Sequence, residues 1–473
     1  MVRGRAALAG LAGARLAPGM ALLFAALPCL AAPGYDTAIV HARVLDVRTG
    51  TVRAGTTILL RDGLIADVGP DEAGTRAAAA RTIDAAGRLV TPGFIDVHFH
   101  SVEILGDSLT MQPDSIRSYR SKLRDAYLPY GVTTVRSCGD DERWMPMLRA
   151  WMEPSADAPD FYACGGALVS PDGHHYSGHV AVNGADAARA KVREYHDLGL
   201  RHVKVYWRLR EAEFGPVLDE SRRLGMNVVG HVDYRVIGIH RAMELGLRQF
   251  EHAYTLGVDA IDSTGYDYCN GQVFADHYAS CIHDGVMPGS FFVSRLEMFN
   301  TLGPENPAVT KVIADLAAHR AGVTPTLHVF AQRFGLAWFS TPPRAPGFDD
   351  TDSLPDSSRA RCRAGYGLLA ATVKKLYDAG VPITVGSDWA DPGKACLSEM
   401  LLLRDLGMPM PAVFAAATLN GAREMGLESL TGAIEKGLKA NLVMFDADPL
   451  ADPRNLLSGM TVFKDGVPAA STR

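Results

Sequence analysis

The chain has 473 residues, of which 47% are hydrophobic, and a formal net charge of -6. This length suits one large domain with a smaller companion, and the apolar content supplies a core, which excludes a mainly disordered chain. A weakly acidic chain lacks the basic surface that binds phosphates, so the composition argues against a nucleic-acid partner. A small-molecule substrate fits it better.

The first 32 residues have the layout of a cleaved secretory signal. Three arginines precede an apolar run over residues 20–27, and small residues follow around Ala31. The alternative, an uncleaved membrane anchor, is disfavoured because this run is well short of the roughly 20 apolar residues that cross a bilayer. We predict a secreted or periplasmic protein with a signal peptide at 1–32 and no stable membrane insertion after its removal.

Six cysteines remain if Cys29 is removed with the signal peptide. An even number of cysteines in an oxidising compartment favours disulfide bonds. Cys269 and Cys281 lie close together in a stretch without clear periodicity, and a disulfide between them is the first prediction. The other four cysteines could form disulfide bonds or be free buried thiols: Cys138, Cys164, Cys362 and Cys396.

Residues 35–92 alternate short apolar runs with turn residues, which predicts antiparallel strands. Asp62-Gly63 is the strongest hairpin signal in this part. The same style returns after Lys439. We therefore predict a small β-sandwich domain assembled from both chain ends, residues 35–92 and 438–473.

Residues 93–437 alternate β-rich runs with amphipathic helical stretches, the pattern of parallel strands joined by crossovers. We predict an α/β fold, with a (β/α)8 TIM barrel over this range. Two segments, 256–306 and 330–365, are too long for plain connections and are predicted as irregular lid or disordered loops over the barrel mouth. The eight strands are predicted to end near His98, Val135, Cys164, Tyr206, His231, His252, Leu327 and Asp388.

Metal-ligating side chains stand where these strands end, on the face where barrel enzymes keep their sites. His98 and His100 are two apart on one strand, so both project to the same side and can reach one cation. Alone, this pair would favour a structural role. His231, His252 and Asp388 each follow an apolar run, and imidazole and carboxylate suit a divalent ion such as Zn2+.

Lys204 is unusual because it lies within an apolar β run, where a charged amine is costly unless it is paired or neutralised. An unprotonated lysine amine can take up CO2 and become a carbamate that bridges two metals. The alternative is a lysine with a buried stem and a solvated head. The two interpretations differ in whether the site holds one metal or two.

The chain resembles the amidohydrolase superfamily, in the group similar to imidazolonepropionases and to Xaa-Pro dipeptidase-like metal enzymes. Matching stretches run in family order through most of residues 35–450, and together they are specific. They include LVTPGFIDVHFH, YGVTTVRSCGD, HVKVY, VVGH, FEHAYTL, VTPTL, VGSDWA and ATLNGAREMGLESLTGAIEKGLKANLVMFDADPL.

The resemblance implies the barrel with its composite β-sandwich and a site with two metals, expected to be Zn2+. His98 and His100 would bind the first metal with Asp388, a carboxylated Lys204 would bridge, and His231 and His252 would hold the second. A metal-bound hydroxide would attack the substrate carbonyl. Asp388 would act as general base and then as general acid toward the departing nitrogen.

Substrate-binding residues are predicted in two places. One of His174 and His175 would contact the substrate, and Tyr234 and Arg235 would bind a carboxylate, with a solvated arginine as the alternative. His179 is expected to be structural, while His328 could face the site or cap its strand.

The function predicted from the sequence is hydrolysis of a C-N amide bond, in a dipeptide or an N-acyl amino acid. Alternatives on the same site are a cyclic amide of the imidazolone type, a lactone or a phosphoester. A non-catalytic binding protein on this scaffold is disfavoured because all six ligand positions are retained. Homo-oligomer formation stays open.

Overall fold

The structure is a computed structural model that describes residues 34–72, 79–105, 115–173, 177–267, 269, 290–339 and 354–469. The predicted signal peptide lies outside these residues. Both ends of the described chain join one eight-stranded sheet with the order β17-β16-β15-β5-β1-β2-β3, in which β4 lies beside β1. Its strands are β1 Tyr35–Asp46, β2 Thr51–Arg61, β3 Leu64–Pro70, β4 Ala79–Asp84, β5 Leu89–Pro92, β15 Leu442–Phe445, β16 Met460–Lys464 and β17 Val467–Pro468.

The predicted hairpin forms at Asp62-Gly63, where Arg61 pairs with Leu64. Both turn residues have positive φ, 52° and 77°, the conformation that a tight two-residue hairpin requires. The two chain ends therefore meet in one sheet, and its arrangement as a two-layered sandwich stays a prediction.

Parallel strands and helices alternate between the two ends. Three strands form the order β6-β7-β8, and six form β10-β9-β11-β12-β13-β14. The strands that pass beneath the site are buried along most of their length, as expected of strands covered on both faces. The bounds are β6 Phe94–Phe99, β7 Val132–Ser137, β8 Asp160–Ala163, β9 Ala167–Val169, β10 His179–Ala181, β11 His202–Val205, β12 Asn227–Gly230, β13 Gln249–Glu251 and β14 Gly322–Thr324.

Helices connect these strands. The α-helices are α1 Val102–Leu105, α2 Ser115–Tyr127, α3 Met145–Met152, α4 Ala185–Asp197, α5 Glu211–Arg223, α6 Tyr234–Ile237, α7 Ile239–Leu245, α8 Tyr254–Ala260, α9 Ser263–Asp267, α10 Ser290–Leu302, α11 Pro307–Ala318, α12 Leu327–Ala331, α13 Asp356–Asp378, α14 Pro392–Asp405, α15 Met410–Ala415 and α16 Gly421–Glu424. Among the described residues, no helix has the length and apolar content needed to cross a membrane.

The eighth predicted strand is not a regular strand. Residues 382–388 form only an isolated bridge, between Ile383 and Val323. Pro382 has no N–H to donate, although its carbonyl accepts a hydrogen bond from Val323. On the other side, Val97 donates to Val385, so this segment contacts both sheets. Closure into a (β/α)8 barrel remains a prediction.

The prediction of irregular structure over 256–306 and 330–365 is wrong in part. The described parts of the first segment contain most of α8, with α9 and α10, and the second begins in α12 and ends in α13. Residues 292–299 of α10 are buried without interruption. Its buried run includes Ser294, Arg295 and Glu297, so polar and apolar residues do not separate onto two faces and the helical periodicity that would have identified the helix is lost.

Candidate active site

Three predicted ligands, His98, His100 and Asp388, meet at the carboxyl end of β6 and define what we call the His98 corner. One donor atom from each lies within 4.8 Å of the others. Asp388 Oδ1 is 3.5 Å from His98 Nε2 and 3.3 Å from His100 Nε2. His98 is fully buried, whereas His100 and Asp388 are partly exposed, so this corner opens to solvent on one side.

The imidazole of His98 is oriented by a hydrogen bond with a carboxylate that was not predicted from the sequence. Glu251 Oε2 lies 2.6 Å from His98 Nδ1, and both side chains are fully buried. A carboxylate on Nδ1 favours the proton at that nitrogen and leaves the Nε2 lone pair for a cation. His98 Nε2 makes no hydrogen bond with the described residues, which fits that assignment.

Asp388 is positioned by its backbone and by the residue before it. Its N–H donates to the His98 carbonyl at 2.9 Å, and its φ of 45° lies in the left-handed region. Ser387 donates from Oγ to Asp96 Oδ2 at 2.6 Å. Burial opposes ionisation, but the neighbouring imidazoles, chiefly that of His98, hold the pKa of Asp388 well below its ordinary value.

The other three predicted ligands, Lys204, His231 and His252, form what we call the Lys204 corner. The ring centres of His231 and His252 are 4.7 Å apart, and His252 Nδ1 is 3.5 Å from Asp388 Oδ2. The Tyr254 hydroxyl lies 2.8 Å from His231 Nε2. Lys204 is buried on β11, and its Nζ makes no hydrogen bond with the described residues.

The site histidines are kept neutral by their surroundings. Burial lowers the pKa of His252 to about 3 and that of His231 well below its ordinary value, and the charge of Lys204 lowers both further. This shared effect places Lys204 in the same cluster as the histidines. Neutral imidazoles are the form that binds a metal ion.

A chain of buried charges leads from the His98 corner into the protein interior. Arg136 Nη2 lies 3.3 Å from Glu251 Oε1, and its Nη1 lies 2.6 Å from Glu424 Oε1. All three side chains are at most 5% exposed. Burial raises the pKa of Glu424 to about 7 against the effect of Arg136. Removing one member would leave an uncompensated buried charge.

Of the four predicted substrate-binding residues, only Arg235 has a side chain that the structure describes. His174 and His175 lie outside the described residues, and Tyr234 begins α6 with a side chain that is likewise outside the description. Arg235 is half exposed, lies 3.3 Å from Asp267 and stacks 4.0 Å over the Tyr266 ring. These contacts agree with the solvated arginine left open above, and its substrate role stays a prediction.

Two further histidines have defined surroundings. His179 packs against Tyr206 with ring centres 4.5 Å apart, and Tyr206 packs on His231 at 4.8 Å. Burial, aided by Arg208, lowers the pKa of His179 to about 4. His328 is buried in α12, with its Nδ1 2.9 Å from Ser398 Oγ.

The predicted disulfide is absent. Cys269 is a buried free thiol, and its Sγ lies 3.7 Å from Thr301 Oγ1. Cys281 lies outside the described residues. The other four cysteines of the prediction are also free and buried: Cys138, Cys164, Cys362 and Cys396.

The donor set fits a divalent cation. Imidazole nitrogens and a carboxylate converge in the His98 corner, where one imidazole nitrogen is buried without a hydrogen bond. The Lys204 amine is a second buried polar group without a hydrogen bond in the described chain. Such groups are costly unless something else satisfies them.

The chain is similar to several known proteins. The Amidohydrolase family model matches residues 362–467. An imidazolonepropionase of Geobacillus kaustophilus is 24% identical over 426 residues, which cover 84% of this chain and 85% of that protein. The crystal structure of an A. niger ochratoxinase is 18% identical, with a TM-score of 0.64 over 91% of this chain and 95% of the other. A prolidase complexed with N-methylphosphonate-L-proline is 20% identical, with a TM-score of 0.61 over 92% and 99% of the two chains.

The α/β fold brings together a histidine-carboxylate cluster whose donor atoms could hold a cation. The chain is similar to the Amidohydrolase family over residues 362–467 and to an imidazolonepropionase and a prolidase along most of its length, which supports a hydrolase acting on carbon-nitrogen bonds.

Proposed function

We propose that the protein is a metal-dependent amidohydrolase that cleaves the amide bond of a dipeptide or an N-acyl amino acid. The observation that carries the proposal is the convergence of His98, His100 and Asp388 within 4.8 Å, with His98 Nε2 free of other hydrogen bonds in the described chain. A bound divalent cation supplies two things there: it lowers the pKa of water and polarises a carbonyl oxygen.

The residues of the site perform the remaining tasks. Asp388 is ionised and partly exposed, so one of its oxygens can accept a proton from water and deliver it to the departing nitrogen. Glu251 keeps the proton of His98 on Nδ1. Tyr254 and Tyr206 pack against His231 and give the Lys204 corner an aromatic wall, which limits the access of bulk water.

A carboxylated Lys204 and two Zn2+ ions form the finer part of the proposal. The Lys204 amine is buried, acts on the pKa of the site histidines and has no hydrogen-bond partner in the described chain. A carbamate at Nζ would replace a buried cation by an anion able to bind metal. His231 and His252 lie on the same side and supply imidazole ligands for a second ion.

The substrate assignment draws on the structural neighbours. The prolidase was solved with a proline derivative, and similarity at 20% identity extends over 92% of this chain. A second candidate, hydrolysis of a cyclic amide, is favoured by the imidazolonepropionase relative, which aligns with 84% of the chain. Lactones and phosphoesters remain weaker alternatives on the same chemistry. The signal peptide predicted at 1–32 extends the proposal to a secreted or periplasmic enzyme.

Metal analysis combined with substrate screening tests the function. We expect purified protein to contain transition metal, and a library of dipeptides, N-acyl amino acids, imidazolones and lactones to contain a substrate for it. Chelation should abolish hydrolysis, and Zn2+ with bicarbonate should restore it. Absence of both bound metal and restored hydrolysis would reject the enzyme proposal, whereas turnover of imidazolones alone would select the second candidate.

A further inference from the structure

A cavity of about 480 Å³ opens at the end of the strands opposite to the active site. Its lining includes the first residues of β12, β13 and β14, which are Asn227, Gln249 and Gly322. The predicted ligands His231 and His252 lie just after the other ends of β12 and β13. The cavity is thus separate from the site described above. Four arginines line it: Arg222, Arg248, Arg320 and Arg423.

Two of these arginines are already neutralised. Arg222 lies 3.2 Å from Asp219 Oδ1, and Arg423 lies 3.1 Å from Glu428 Oε2. The Arg222 guanidinium also rests on Gly246, where a Cβ atom would come within 2.6 Å of its Nη2. Glycine is favoured at this position chiefly by its φ of 112°, which side chains rarely adopt.

The other two arginines lack such partners. Arg248 donates from Nη1 to the carbonyls of Met243 and Leu247, each at 2.8 Å, and both acceptors are backbone groups. In the described part of the chain, no carboxylate lies within ion-pair distance of Arg248 or Arg320. Two exposed arginines without a carboxylate partner in the described chain therefore line one cavity.

The glutamate that lines the cavity is paired with another arginine. Glu424 also lines the cavity, but its Oε1 lies 2.6 Å from Arg136 Nη1, which is fully buried. This pairing directs the charge of Glu424 toward the protein interior. The cavity therefore keeps a positive balance.

We propose that this cavity binds a small multivalent oxyanion, of the phosphate, pyrophosphate or tricarboxylate class, through Arg248 and Arg320. Guanidinium groups present paired N–H donors that match two oxygens of such an anion. The volume admits an anion of this size together with water. The proposal does not depend on the hydrolytic function, because the cavity shares no predicted ligand with the active site.

Isothermal titration calorimetry of the metal-free mature chain tests the proposal, with inorganic phosphate, pyrophosphate and citrate as separate probes. Metal removal prevents the anions from binding at the active site through a cation. We expect one anion per chain and at least about tenfold weaker binding in Arg248→Gln/Arg320→Gln. The control Arg143→Gln/Arg454→Gln removes two exposed arginines elsewhere and should bind like the wild type.

A third variant separates site geometry from charge. Arg248→Lys/Arg320→Lys keeps both charges but loses the paired donors, so it should bind with intermediate affinity. It also provides a test if the glutamine variant does not fold. Undetectable binding by the wild type would overturn the proposal. So would a control variant that loses as much affinity as the glutamine variant while the lysine variant binds like the wild type.

Discussion

The two corners of the active site are built differently. In the His98 corner, each residue is fixed by polar contacts: Glu251 holds His98, the Gly139 carbonyl lies 3.2 Å from His100 Nδ1, and the His98 carbonyl accepts from Asp388. In the Lys204 corner, by contrast, only the two histidines have such contacts: His231 Nε2 lies 2.8 Å from the Tyr254 hydroxyl, and His252 Nδ1 lies 3.1 Å from Thr326 Oγ1. Its lysine is buried without a hydrogen bond in the described chain.

This difference indicates how each corner depends on metal. The polar contacts orient the His98 corner before any ion binds, which lowers the cost of ordering the ligands on binding. The Lys204 amine interacts with the charge of Glu251 but makes no hydrogen bond in the described chain, so a change at Nζ would alter this corner more than the other. We therefore expect the His98 corner to keep metal when the Lys204 corner is altered.

The largest effect should follow Asp388→Asn, which removes the group that both corners share. The asparagine keeps the shape of the side chain but cannot accept the proton from water. We expect kcat to fall about 10³-fold, within the range for loss of a general base. Asp405→Asn, on α14 outside both corners, serves as the control. Near wild-type kcat in Asp388→Asn would remove this residue from the proposed chemistry.

Lys204→Met tests the Lys204 corner alone. Methionine fills a similar volume without the amine, so no carbamate can form. We expect bound metal to fall from about two ions per chain to about one, with the remaining ion in the His98 corner. Bicarbonate should increase metal uptake by the wild type and leave the variant unchanged. Equal metal content in Lys204→Met and in the remote control Lys191→Met would contradict the carbamate.

Glu251→Gln tests the orientation of the His98 corner. The amide can still accept a hydrogen bond from Nδ1 but lacks the charge that holds the proton there. We expect about 10- to 100-fold weaker metal affinity in competition with a chelator, the range for partners of metal-binding histidines. Glu251→Leu should lose more affinity, and unchanged affinity in both variants would refute the positioning role.

The ligands could be predicted from the sequence, but Glu251 could not. His98, His231 and His252 follow buried runs, and the carboxyl ends of parallel strands lie at one edge of a sheet, so their convergence follows from chain order. The Glu251 contact joins residues 153 apart and depends on the register of two strands and on a rotamer. Its only signal is an acid inside a buried strand.

The fold shows the same limit. Short apolar runs identified the strands β6, β11, β12 and β13, because strands covered on both faces are apolar along most of their length. It failed for α10, whose residues 292–299 are buried, and for residues 382–388, which make only an isolated bridge although Pro382 and Val385 accept hydrogen bonds from the two neighbouring strands. Tertiary contacts decided both cases.

Acidification should destabilise the metal-free protein through the buried histidines. His252 has a folded pKa of about 3 and an ordinary value of 6.5, so between these values the unfolded state binds one more proton. The free energy of unfolding should therefore fall by about 1.4 kcal/mol per pH unit from this group as the pH drops from 6 to 4. Urea unfolding across this range measures the slope.

The matching variants are His252→Asn, which should reduce the slope by about 1.4 kcal/mol per pH unit, and His319→Asn, which removes an exposed histidine. Equal slopes in the wild type and His252→Asn would show that His252 is not held neutral by burial. Because the test uses metal-free protein, it examines the Lys204 corner before any ion binds.

The smallest effect is expected for Tyr254→Phe, which removes one hydroxyl from the aromatic wall. That hydroxyl lies 2.8 Å from His231 Nε2 and competes with a cation for the same nitrogen. The ring stays in place because its contacts with Phe291 and Phe330, at 5.3 and 5.4 Å between centres, do not involve the hydroxyl. Loss of the hydrogen bond should cost about 1 kcal/mol of metal-free stability. If His231 Nε2 binds the second metal, the variant should bind that ion slightly more tightly in a chelator competition, whereas weaker binding would mean that the tyrosine orients His231 toward the metal.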